Sequence, residues 1–258
     1  MSLRVNTNVE AFNAHRSLES TQYAQSKSME KLSSGLRINR AADDAAGLAI
    51  SEKMRAQTRG LAQAQRNSLD GISLVQTSEG ALNEMHSILQ RVRELSVQRA
   101  NGTLSTSDQS AIDTEVGQLT AELTRINTNT KFNGLDVMTG NFTFQVGANK
   151  DESIGLSITQ LDFTSISAGD ISTIDTALNS VTDNRTKLGA VQNRLEHTIN
   201  NLGVFQENIS SAESRIRDVD VASEMVNQTK LQILSQSGTA MLAQANQGAQ
   251  GVLSLLRG

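Results

Sequence analysis

The three histidines of this chain, His15, His86 and His197, are the residues best suited to ligate a metal or move a proton near neutral pH. They are scattered, and none stands four residues from another, the spacing that puts two ligands on one helix face. No His-Glu-x-x-His sequence is present. They read as ordinary helix-surface or interface residues. Asp43 and Asp44 are adjacent carboxylates that could share a proton or hold a cation. A helix start explains them more simply, because Asp caps free N–H groups and complements the positive end of the helix dipole. Gly35 and Gly47 make no phosphate loop, since no Gly-Lys-Ser/Thr follows at the needed spacing. With no Cys, thiol nucleophiles, thiolate metal sites and disulfides are all excluded. No nucleophile and base suggest a catalytic constellation. The sequence therefore predicts no enzyme, no cofactor and no metal.

The elements that carry these residues are legible in composition. The 258 residues include no Pro, no Trp and only one Tyr. Proline breaks helix interiors, so long uninterrupted helices account for its absence. Aromatic residues are 3% of the chain, too few for a thick globular core. Ala, Leu, Ile, Val and Gln fill the interior instead, as in thin helical bundles. The net charge of −4 supplies no basic field for nucleic acid. Nothing approaches the length of a membrane span. The N-terminal residues lack the apolar run of a secretory signal peptide, which predicts another export route if the protein leaves the cell.

Hydrophobic periodicity is the strongest signal. From Ile174, steps of seven reach Val181, Leu188, Leu195, Leu202, Ile209 and Ile216, all aliphatic. A second series runs Val191, Thr198, Phe205, Ala212, Val219, Val226, Ile233 and Ala240. Sustained seven-residue spacing marks helices in a coiled-coil-like bundle. Residues 174–216 alone predict a rod about 65 Å long. Val75, Leu82 and Leu89 answer from the first half, with Met85, Val92, Ile88 and Leu95 beside them. Ile112, Val116, Leu119, Leu123 and Ile126 form a further helix, separated by a break at Asn101-Gly102-Thr103. Ser107 or Asp108 is its expected N-cap.

Between 132 and 163 the period changes to two. Phe142, Phe144 and Val146 alternate with polar residues, as do Ile154, Leu156 and Ile158, across a Gly/Asn/Asp turn. That reads as one small β-hairpin at about 140–160. Phe132-Asn133-Gly134 reads as a turn. At the ends, Val5, Val9, Phe12, Leu18, Met29 and Leu32 suggest a helix ending near Gly35. From Met225 to Leu256 only Lys230 is charged. An apolar stripe of that length must pair with something. The expectation is that the two termini pack on each other and on neighbouring subunits. The fold class is thus mainly α: an elongated coiled-coil-like bundle with one small β-hairpin and paired terminal helices.

The terminal segments also resemble a known family. Ser33-Ser34-Gly35-Leu36-Arg37-Ile38-Asn39-Arg40-Ala41-Ala42-Asp43-Asp44-Ala45-Ala46-Gly47-Leu48-Ala49-Ile50 is similar to the N-terminal signature of the bacterial flagellins. Gln90-Arg91-Val92-Arg93-Glu94-Leu95-Ser96-Val97-Gln98 resembles a second flagellin segment. Asp218-Val219-Asp220-Val221-Ala222-Ser223-Glu224 and Ala240-Met241-Leu242-Ala243-Gln244-Ala245-Asn246-Gln247 resemble parts of the C-terminal half. One departure stands out. Many relatives carry proline after the last motif, where this chain has Gly248 and Gly251, so a helix break near 248 is still expected.

The resemblance implies a structural subunit that assembles itself into the hollow helical filament of the bacterial flagellum, outside the cell. Residues 1–44 and 217–258 would form an inner terminal coiled coil and 45–216 an outer helical bundle with the hairpin, without the variable outer domains of longer relatives. The expected polymerisation contacts are Val5, Val9, Phe12, Val226, Ile233, Leu234, Met241 and Leu242. Implied partners are other copies of the chain, the flagellar cap, hook-associated junction proteins, an export chaperone and the flagellar type III export apparatus. The export is expected to leave no cleaved signal peptide. In family members recognised by the animal Toll-like receptor for flagellin, residues matching Arg91, Leu95 and Glu115 lie on the recognised surface. Two alternatives remain: a hook–filament junction protein, which shares the terminal architecture, and a cytoplasmic coiled-coil signalling or scaffold module.

Overall fold

The structure, a computed structural model, describes residues 7–257, with side chains described for 7–248. Among the described residues five helices and two antiparallel ribbons follow in order. They are α1 (Val9–Ser34), α2 (Ala45–Arg99), α3 (Thr106–Asn129), β1 (Lys131–Phe132), β2 (Leu135–Asp136), β3 (Asn141–Gln145), β4 (Ser153–Ser157), α4 (Ile171–Arg217) and α5 (Val221–Arg257). The chain divides into two compact units. Residues up to Arg55 and from Ser210 onward form one, and Ala56–Ile209 form the other.

The unit 56–209 is built on the heptads. Val75, Leu82, Met85, Leu89 and Val92 of α2 are fully buried, as are Ile174, Val181, Leu188 and Leu195 of α4. Ile112, Val116 and Leu123 of α3 join the same cluster. Helix α3 starts at a capping box: Asp108 N–H donates to Ser105 Oγ, and Ser105 N–H donates to Asp108 Oδ2 at 3.0 Å. The cap is therefore Ser105, not Ser107 or Asp108, because reciprocal bonding satisfies two free donors where a single cap satisfies one.

β3 and β4 pair in register, Phe142 opposite Leu156 and Phe144 opposite Ile154, as the alternation predicts. Phe144 seats on α2 at Gly71, where an added side-chain carbon would lie 3.0 Å from the Phe144 ring and 3.3 Å from Leu195. A second, smaller ribbon was not anticipated. The expected turn at Asn133-Gly134 has both residues in the left-handed region (φ 49° and 80°), and its flanks pair as β1 and β2. Two left-handed residues in succession are the geometry of the tight hairpin turn that matches strand twist.

After β4 the chain runs irregularly to α4, yet Ile158, Leu161, Phe163, Ile166 and Ala168 are buried. Asn184, fully buried on α4, holds this segment. Its Nδ2 donates to Thr159 O at 2.8 Å and its Oδ1 accepts from Thr159 N–H at 3.0 Å. The amide thereby serves as a substitute strand edge for one residue that has no ladder partner.

In the other unit, α1 ends at Gly35, whose left-handed backbone (φ 71°) lets its N–H reach Lys31 O at 2.9 Å. The chain then forms a short bridge with the α4–α5 corner. Arg37 N–H donates to Arg217 O at 2.7 Å, and Val219 N–H to Gly35 O at 3.0 Å. Gly47 N–H donates to Asp44 Oδ1 at 2.8 Å, so Asp44 caps the start of α2 as its residue type suggests. Helix α5 continues across Gly248, and the break expected there does not occur. A glycine weakens a helix interior by only about 1 kcal/mol, whereas a proline there would also remove a donor.

Candidate assembly surface

Helices α1 and α5 pack along each other in opposite directions. Asn8 Nδ2 donates to Ala245 O at 2.9 Å near one end, and Leu18 lies against Gly238 further along. The inward face of α1, stepping by three and four, is Ala11, Ala14, Leu18, Thr21, Gln25, Ser28 and Leu32. That of α5 is Glu224, Gln228, Leu231, Ser235, Gly238, Leu242 and Ala245. The spacing is that of a coiled-coil seam, but the residues are mostly small or polar. A side chain at Gly238 would have its first carbon 3.2 Å from Leu18, so the two backbones approach closely there. Ser28 is almost fully buried, and the Glu224 carboxyl is held below its usual range by the nearby Ser28 hydroxyl, by the hydrogen bond it accepts from Asn227 Nδ2 at 3.2 Å and by the Lys31 charge.

The large apolar residues point the other way. Phe12 is 68% exposed, Val226 72%, Ile233 58% and Met241 66%; Val9, Tyr23, Met29, Val221, Met225 and Leu234 are also exposed. Val226, Ile233 and Ala240 stand seven residues apart and so share one face of α5, which is not the face turned to α1. The α5 part of the second heptad series read from the sequence is thus an outer stripe here rather than a bundle seam, although the series starts at the buried Val191. Of the residues expected at the polymerisation contact, Val9, Phe12, Val226, Ile233, Leu234 and Met241 lie on the outside of the pair. Leu242 is half-buried in the seam. Val5 lies outside the described residues.

Three ion pairs gather at the corner between α1 and α2. Lys27 Nζ lies 2.7 Å from Asp43 Oδ1, Arg40 pairs with Glu30 at 2.9 Å, and Arg217 contacts Glu52. The hydrogen bond from Lys27, with those from Arg40 and Asn39 N–H, holds the Asp43 carboxyl down to about 2 from an ordinary 3.8. A carboxylate depressed in the folded state contributes stability above its unfolded pKa and loses it as pH falls through the folded one. Asp43 therefore stabilises this corner above about pH 4 and progressively loses that contribution as pH falls through about 2. The thermal midpoint of wild type falls over that window, and Asp43→Asn flattens the fall; equal acid sensitivity in both proteins refutes the contribution.

The other residues singled out by sequence lie elsewhere. Arg91 Nη2 is 3.0 Å from Glu115 Oε1, joining α2 to α3 at the surface. Leu95 is 2% exposed and belongs to the core, because its heptad step from Ile88 turns it inward. His15 sits 3.6 Å from Glu19 on α1, and His86 bonds Gln90 at 3.0 Å on α2. Among the described residues no group of acidic, His or Cys side chains could hold a metal ion. The feature to be explained is instead a paired helix with its apolar side chains outward. It defines a self-associating structural subunit.

Comparisons agree. The bacterial flagellin N-terminal helical region matches residues 5–143, and the bacterial flagellin C-terminal helical region matches 171–256. The chain is 54% identical to the flagellin of Halalkalibacterium halodurans, over 98% of this chain and 99% of that one. It is 49% identical to the flagellin of Bacillus subtilis, over 99% and 100% respectively. The crystal structure of Bacillus cereus flagellin superposes with a TM-score of 0.50 at 30% identity, covering 53% of this chain and 88% of that one. The chain belongs to the bacterial flagellin family. It is a structural subunit of the extracellular flagellar filament that serves motility, and not an enzyme.

Proposed function

We propose that each subunit enters the filament by laying the outer stripes of α1 and α5 against the same helices of neighbouring copies. The observation that carries this reading is the inversion of the helix pair, with small and polar residues in its seam and large apolar ones outside. Burying one Leu or Ile side chain contributes roughly 1.5–3 kcal/mol, so Val9, Phe12, Val226, Ile233, Leu234 and Met241 acting together decide assembly. Val5, outside the described residues, joins the proposed contact set on its sequence alone. Leu242 acts differently, holding α5 to α1 so that the stripe has a fixed shape.

On this reading residues 1–44 and 217–258 form the polymerisation core and 45–216 the outer layer. The subunit reaches the filament through the flagellar type III export apparatus, escorted by an export chaperone. It adds beneath the cap, above the hook-associated junction proteins. Arg91 and Glu115, both half-exposed, are the groups this chain offers to an animal Toll-like receptor for flagellin, without the buried Leu95.

Negative-stain electron microscopy of purified protein, seeded with short filament fragments, tests the assembly. Long tubes of uniform diameter are expected. Persistent monomers with competent seeds would sink the proposal and favour a junction protein, which forms only a short layer.

A further inference from the structure

The sulfur atoms of this chain are distributed unevenly. Met85 and Met138 are fully buried in the unit 56–209. Met29, Met225 and Met241 instead lie on the outward faces of α1 and α5, at 54%, 58% and 66% exposure. The sequence has no Cys and no Trp, and Met54 is half-buried, so among the described residues these methionines are the most readily oxidised groups shown to solvent.

We propose that Met29, Met225 and Met241 are oxidation sites that control assembly, their sulfoxides keeping the free subunit out of the filament. This rests on the assembly surface proposed above. The oxidant class is a two-electron oxygen donor such as hydrogen peroxide. A lone pair on Sδ attacks one peroxide oxygen, the O–O bond breaks and an S–O bond forms. The departing hydroxide takes the remaining proton and leaves as water. Sulfur is oxidised by two electrons and the peroxide is reduced by two.

The product is a polar, chiral side chain where an apolar, flexible one stood. Its S–O oxygen is an acceptor that an apolar contact leaves without a donor. In the assembled filament the same contact excludes the oxidant, so control falls on unassembled subunits. Sulfoxide reduction is enzymatic and restores the thioether, which makes the block reversible.

The test treats full-length monomer with hydrogen peroxide, maps sulfoxides by peptide mass spectrometry, and then seeds assembly. Met29, Met225 and Met241 gain oxygen at least about tenfold faster than Met85 and Met138, and the critical concentration for assembly rises about tenfold or more. The same dose applied to finished filaments leaves the three unoxidised. The triple variant Met29→Leu, Met225→Leu, Met241→Leu assembles equally well before and after peroxide. Wild type that assembles normally with all three sulfoxides present overturns the proposal, as does a triple variant that stays peroxide-sensitive. If leucine itself impairs packing, reversal decides: methionine sulfoxide reductases restore assembly of oxidised wild type, and failure to restore it overturns the proposal. Untreated wild type that never elongates seeds removes the assembly surface itself, an outcome distinct from these.

Discussion

Ile233→Asp abolishes filament elongation while leaving the unit 56–209 folded. Ile233 is 58% exposed on the face of α5 that also carries Val226 and Ala240, so the change removes nothing from the α1–α5 seam. In a subunit contact it forfeits roughly 1.5–3 kcal/mol of burial and adds a carboxylate with no partner. Every subunit carries the same defect, and a growing end meets it at each addition. Seeded reactions of the variant are expected to stay monomeric at concentrations where wild type forms long tubes. Its urea unfolding transition is expected to match wild type, since Ile233 lies in the other compact unit. Filaments of normal length from Ile233→Asp would refute the outer stripe as the contact.

Leu195→Ala has the largest expected effect on the fold. Leu195 is fully buried on α4, beside Gly71 of α2 and the Phe144 ring of β3, so three elements meet at its side chain. The removed atoms leave a cavity that the ring and the two long helices cannot fill without shifting. Buried Leu→Ala changes cost 2–5 kcal/mol, and this site belongs near the middle, at about 3 kcal/mol. Urea denaturation of the purified protein measures it as a lower midpoint with little change in slope. Leu69→Ala, half-exposed on α2, is the control and is expected to shift stability by less than about 0.5 kcal/mol. A loss below about 1 kcal/mol at Leu195 would mean that this layer closes over the gap and is not rigidly packed.

The core of the unit 56–209 was legible in sequence because one helix face there is buried and the rest is not. Steps of seven from Ile174 and from Val75 therefore land on buried residues. The same rule fails in the second series, whose Phe205, Val226 and Ile233 are exposed. A stripe buried by the chain itself and a stripe awaiting another copy have the same period, so Val226 and Ile233 could not be told from bundle positions. Only the small, polar residues at Ser28, Gln228, Ser235 and Gly238 show which face α1 occupies, and they carry no strong hydrophobic signal. Leu95 is legible as a core position from its heptad step, whereas Leu242 turns inward because α1 lies against that face of α5.

Segments without period were missed altogether. Val137, Met138, Leu161, Phe163 and Ile166 are buried between regular elements. What holds part of that path is Asn184, a polar residue one would place outside by type. The Asn133-Gly134 turn was visible, but strands of two residues are too short to alternate.

The pairing of α1 with α5 has a consequence for the order of folding. Asn8 and Ala245 touch across 237 positions of sequence, nearly the whole chain. Closing so long a loop from a random coil costs about 5 kcal/mol in chain entropy beyond a constant term, and a seam of small residues returns little to offset it. Once 56–209 has folded, with Leu195 seated beside Gly71, most of that loop is already closed. The terminal pair is therefore a late event, conditional on the middle of the chain. Refolding followed at both places would show Leu195-centred packing appearing first and the α1–α5 contact trailing it.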